Sequence, residues 1–154
     1  MIAEALVSVE AWAPIVALRN SVLAYPIVNA AHVLGVALLV GSIVPLDLRL
    51  AGLWRSIAIE PLWRVLSRTA GAGFVLALMT GLLLFATRAT EYVESTLFLG
   101  KLGLIVVAGL NAIWVSRRLG STPGRIPPPV RRGAVASIVL WLGVLLLGRL
   151  VGYF

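Results

Sequence analysis

Ser21-Val22-Leu23-Ala24-Tyr25-Pro26-Ile27-Val28-Asn29-Ala30-Ala31-His32-Val33-Leu34-Gly35-Val36-Ala37-Leu38-Leu39-Val40-Gly41-Ser42-Ile43-Val44-Pro45 contains no Asp, Glu, Lys or Arg. Wound as an α-helix at about 1.5 Å per residue, it is longer than the roughly 30 Å hydrocarbon layer of a bilayer. Backbone N–H and C=O groups in lipid must be paired within the segment, which an α-helix does by itself. Three further apolar runs follow, at about 68–87, 96–116 and 134–153. Each is near the ~20 residues that a spanning helix needs. Their apolar residues are continuous, whereas a membrane β-barrel strand alternates. The expected fold is all-α, a four-helix transmembrane bundle forming one membrane domain over residues 1–154.

The composition agrees. Of 154 residues, 60% are hydrophobic and 12% charged, and the mean hydropathy is +1.03. A soluble domain carries about 25% charged residues, so lipid is the expected solvent. The absence of cysteine excludes disulfides, thiolate metal sites and cysteine nucleophiles. The net charge of +7 lies in loops, with no basic stripe on a soluble face. Membrane topology accounts for it, and nucleic acid is not an expected partner.

Residues 2–19 read as an interfacial amphipathic helix. Leu6, Val9, Trp12 and Ala13 fall on one side, with Glu4 and Glu10 elsewhere. The segment is too charged to span and suits the headgroup level. Glu4 and Glu10 also argue against a cleavable signal. Pro14 is expected to kink or split the helix.

Loop charges orient the bundle. The connection 46–67 carries Arg49, Arg55 and Arg64, with Arg68 at its edge. The connection 117–133 carries Arg117, Arg118, Arg125, Arg131 and Arg132. Four spans place both on one side, which the positive-inside rule makes cytoplasmic. Both termini are then expected outside a bacterial inner membrane. The loop from Thr122 to Pro129, with Pro123, Pro127, Pro128 and Pro129, reads as a short extended linker.

Polar residues inside the spans are the candidates for chemistry, because burying them in lipid is costly. His32 is the only histidine and lies near mid-membrane. Tyr25, Asn29 and His32 are spaced i, i+4, i+7 and share a helical face. Imidazole is a metal ligand whose other nitrogen wants an acceptor; a neutral histidine bonded between helices is the plainer alternative. Lys101 and Arg149 interrupt apolar sequence in the outer half, where they could snorkel outward or hold an anionic group such as a haem propionate. Met79 lies at comparable depth and is a candidate second axial ligand. Asn111 is expected to bond across helices. The small-residue pairs Ala31/Gly35 and Ala37/Gly41 read as packing surfaces, with Gly35 alternatively clearing room for a flat cofactor. Asp47-Leu48-Arg49 reads as an interfacial ion pair where helix one ends after Pro45. On this reading the cytoplasmic half is a packed apolar bundle. The chain lacks a paired intramembrane carboxylate, a phosphate loop, an HExxH motif and a Ser/His/Asp set, and it is short of soft ligands for copper(I).

Tyr25 to Gly35, with Gly41-Ser42, Asp47-Leu48-Arg49-Leu50, Phe98-Leu99-Gly100-Lys101-Leu102-Gly103-Leu104, Asn111, Gly148-Arg149 and Tyr153-Phe154, resembles an uncharacterised bacterial family of four-span membrane proteins. A more distant similarity extends to the four-helix membrane protoporphyrinogen oxidases and the copper-resistance D membrane proteins. In the oxidases a first-span histidine and a third-span lysine are tied to haem binding. The resemblance carries those roles to His32 and Lys101. Leu97 stands where that family has an arginine, and no second histidine is present.

The resulting expectation is an inner-membrane protein binding b-type haem or a similar porphyrin in its outer half, with a redox or electron-transfer role. His32 would be the metal ligand, with Lys101, Arg149, Asn29, Tyr25 and Met79 around the cofactor. The alternative is a non-enzymatic membrane subunit or transport component, as a homodimer or in a larger complex. Copper transport ranks below both.

Overall fold

The structure is a computed structural model describing residues 2–120 and 126–153. Among these there are seven helices and no strand: α1 (Ile2–Glu10), α2 (Ala13–Asn20), α3 (Ala24–Ala51), α4 (Ile59–Ala86), α5 (Ala89–Glu94), α6 (Thr96–Gly120) and α7 (Pro128–Leu150). The four long ones, α3, α4, α6 and α7, are long and apolar enough to cross a membrane. Their exposed side chains suit a lipid surround. Leu34, Val65, Leu82, Val106, Leu110, Val139 and Leu146 are all exposed on the bundle surface.

The spans overrun the apolar runs that mark them. At 28 residues, α3 is about 42 Å long and continues through Pro45. It ends at Gly52, whose φ of 113° is left-handed. Gly52 N–H bonds to Arg49 O at 3.2 Å and Leu53 N–H to Leu48 O at 3.0 Å, a Schellman closure that glycine makes at little cost. From the start of α7, the Arg131 guanidinium donates to Ala51 O at 3.0 and 3.3 Å, neutralising a helix C-terminus. α4 begins at Ile59, well before its apolar run. Of the loop expected over Thr122–Pro129, residues 122–125 lie outside the described residues. Pro127 is extended and Pro128 opens α7, where its missing N–H costs nothing.

α3 packs most extensively on α4, α6 on α7, and α3 also on α7. α4 and α6 make no extensive contact, so the four spans line up as α4–α3–α7–α6 with a cleft where the ring fails to close. The α3–α4 contact is the tightest. A Cβ built on Gly35 would sit 2.6 Å from Ala77 N, and one on Gly73 2.6 Å from Leu39 N. Gly35 is thus a packing residue against the α4 backbone. By contrast, Gly41, Gly103 and Gly109 face open space. Between α6 and α7, Asn111 Nδ2 donates to Gly133 O at 2.9 Å, the interhelical bond expected of it.

The N-terminal segment is two helices, broken at Ala11–Trp12, with Pro14 in the first turn of α2. Trp12 is 64% exposed, in keeping with a place at the membrane surface. Glu10 Oε1 accepts from both the backbone N–H and the hydroxyl of Thr90, each at 2.7 Å. Arg19 donates to Thr87 O at 3.4 Å. The segment therefore lies over the α4–α5–α6 connection.

The Thr90 bonds, backbone first, hold the Glu10 carboxyl below its usual value. A carboxylate depressed on docking stabilises the docked form above its free value, and that gain is lost as pH falls through the docked value. The Thr90 amide resonance should accordingly titrate with a midpoint below that of an ordinary glutamate, and Glu10→Ala should remove the titration. A midpoint at the ordinary value would show that α1 is not held by this contact.

Candidate functional site

His32 leaves α3 towards α4. Its Nδ1 lies 2.9 Å from Ala77 O and 3.2 Å from Thr80 Oγ1. A carbonyl oxygen only accepts, so Nδ1 carries the proton and donates. The Thr80 hydroxyl is itself spent on Leu76 O, at 2.6 Å, and meets the imidazole with its lone pairs. In the neutral ring this fixes the tautomer and leaves Nε2 unprotonated; Nε2 has no hydrogen-bond partner among the described residues. Gly81 makes room for the ring, since a Cβ there would lie 3.0 Å from His32 Cε1.

The imidazole lines a cavity of about 240 Å³ with Val36, Phe74, Ala77, Phe98, Lys101 and Trp141 among its walls. It lies in the cleft between α4 and α6, and its lips, Leu78, Leu82 and Leu102, are 48%, 56% and 43% exposed. Towards the end carrying both termini it is roofed by three stacked rings. Phe85 and Phe98 stand 5.5 Å apart, and Tyr92 is 5.0 Å from Phe98. Lys101 Nζ lies 5.6 Å from the Phe98 centroid, a cation–π contact. The stem of Lys101 rests against Gly148, where a Cβ would stand 3.8 Å from its Cδ.

Of the residues singled out from the sequence, His32 and Lys101 thus share one cavity. The others do not join them. Arg149 donates to the Tyr153 hydroxyl and lies 4.5 Å from that ring's centroid. Met79 is 60% exposed, outside the cavity wall. It is two residues from Ala77 and so on nearly the opposite side of α4. Asn29 is exposed, Tyr25 half-buried, and neither lines the cavity. Glu91 pairs with Arg88 at 3.4 Å, not with Lys101 or Arg149.

The second cavity, about 560 Å³, lies towards the arginine-rich end between the same helices, so that half is not solidly packed. It holds Asp47, which is 5% exposed. Ser137 of α7 lines the same cavity beside it. The interfacial ion pair read from Asp47-Leu48-Arg49 is therefore not formed: Arg49 turns away to donate to Ile57 O at 2.7 Å. Leu39, Phe74 and Trp141 line both cavities and form the wall between them.

Comparison of the chain with protein-family models, curated proteins and solved structures finds no match. The fold and site define a four-span membrane bundle, open along one side, with a tautomer-fixed histidine in the opening.

Proposed function

We propose that this chain binds a b-type haem or similar porphyrin between α3, α4 and α6, with His32 as its axial ligand and a redox or electron-transfer role. The observation that carries the reading is the His32 Nδ1–Ala77 O bond of 2.9 Å. Metal-ligating histidines characteristically donate their other nitrogen to a carbonyl or carboxylate, which fixes the ring and leaves the ligating lone pair free. Among the described residues, no three His, Cys, Asp or Glu stand together as a ligand set. A bare ion would want such a set, whereas a porphyrin brings its own nitrogens and asks the protein for one or two. The space is smaller than the roughly 300–1,000 Å³ of most ligand pockets. Seating a macrocycle therefore uses the opening between α4 and α6, whose lips are apolar. Lys101 would pair with a propionate; Arg149 would have to leave Tyr153 to do so.

The bound group would supply one-electron redox chemistry. The protein would orient it through His32 and exclude water with the Phe85–Tyr92–Phe98 cluster. With the arginine-rich end cytoplasmic, the His32 cavity belongs to the outer half of a bacterial inner membrane, and both termini lie outside.

The test is an absorption spectrum of the purified protein, oxidised and reduced, during titration with haemin. The expected result is a Soret band that saturates at one equivalent and shifts on reduction. A protein that stays colourless under haem supplementation would overturn the reading. A colourless protein with a stoichiometric partner would favour a membrane subunit instead.

A further inference from the structure

The second cavity carries an inference that does not rest on haem. Two polar atoms of residues in its walls are buried and have no hydrogen-bond partner among the described residues: Asp47 Oδ2 and Trp141 Nε1. The residues bearing them are 5% and 3% exposed. Buried polar groups in native proteins are nearly always paired, and each exception asks for a reason. One atom needs a donor and the other an acceptor. Both residues line this one cavity. Asp47 lies on the same cavity wall as Ser137, and Ser137 and Trp141 are i, i+4 on α7, neighbours on one helical face. Most of the remaining lining is apolar or aromatic, including Ile43, Trp63 and Phe74, with Ser67, Ser116 and Arg117 as its further polar residues. Gly71 and Gly109, on the α4 and α6 sides, leave the space open. Ile113 on α6 is 51% exposed at the cavity's edge, so the approach is from lipid.

We propose that this cavity binds a neutral, lipid-soluble molecule bearing a ring hydroxyl, of the phenol or hydroquinone class. A hydroxyl both donates and accepts, so one such group satisfies Asp47 Oδ2 and Trp141 Nε1 together while its ring fills the aromatic walls. A cationic ligand would suit Asp47 and the aromatics, but it would leave the indole N–H unpaired. It would also meet Arg117, which lines the same cavity. An anion would meet Asp47. Recognition is by the hydroxyl, which separates a ligand from a lipid tail that merely fills space.

The experiment uses the full chain in nanodiscs with ¹⁵N-labelled tryptophan. The chain has five tryptophans, and the Trp141 indole signal is the one absent from Trp141→Phe. The probe is a decyl-substituted hydroquinone kept reduced, with its dimethyl ether as control. The expected result is a saturable downfield shift of the Trp141 signal by the hydroquinone and at least tenfold weaker binding of the ether. Asp47→Leu, which replaces the carboxyl oxygens by methyl groups on the same branched frame, should weaken hydroquinone binding about tenfold with helix content unchanged. If Asp47→Leu fails to fold, the comparison of hydroquinone with ether on the wild-type chain decides alone. A Trp141 signal that contacts water but ignores the probe, or equal responses to probe and ether, would overturn the proposal. None of these readouts depends on haem.

Discussion

Gly35→Leu is expected to drive α3 and α4 apart and to cost at least about 3 kcal/mol, the upper end of what overpacking costs. A Cβ at this position would meet Ala77 N at 2.6 Å and Ala77 Cα and Gly73 O at 3.0 Å. All three are backbone atoms of a helix, so no rotamer change relieves the contact. The residue it strikes, Ala77, also supplies the carbonyl that holds His32, so the imidazole should lose its orientation in the same step. Gly41→Leu is the control. It is the same substitution on the same helix, with nothing within 4 Å of the added carbon, and should stay within about 0.5 kcal/mol of wild type. Unfolding of both variants in mixed micelles measures the difference. Equal stability of the two would show that the α3–α4 crossing is not set by glycine.

These two glycines also show what sequence alone conveys. Both stood in small-xxx-small pairs with the same packing reading, yet only Gly35 meets a neighbour. Spacing gives the face of a helix that is small, and only the path of the partner helix decides which small residue is crossed. The spans themselves were legible because a run of apolar residues has one solution in lipid. Their ends were not. Composition reports where the hydrocarbon stops, whereas α3 continues to Ala51 because nothing before Gly52 breaks its hydrogen bonds. Depth was legible too, but direction around the helix axis was not. Met79 has a depth suited to a ligand and points away, while its neighbours Ala77 and Thr80 hold the histidine. Asp47 was read locally, with Arg49. In the structure it faces a cavity it shares with Ser137, on a helix ninety positions further along, and no periodicity in the sequence announces such a neighbour.

His32→Ala should abolish stoichiometric porphyrin binding, and the way it does so separates ligation from shape. The substitution removes the nitrogen Nε2 and leaves a hole where the ring was. The α3–α4 crossing, one turn away at Gly35 and Gly73, remains. Exogenous imidazole should enter that hole and restore the Soret band at least in part. Gly81→Leu should also abolish the band, for a different reason. Its side chain would occupy the place of the imidazole, starting from a Cβ only 3.0 Å from His32 Cε1, and would force the ring off Ala77 O. Added imidazole should then have nowhere to bind, and the variant should stay colourless. If the His32→Ala protein binds haem as wild type does, the porphyrin is held by something other than this histidine. If imidazole rescues both variants equally, Gly81 is not what makes room for the ring. Rescue of the first variant alone would tie the colour to one nitrogen, set in place by one carbonyl on α4.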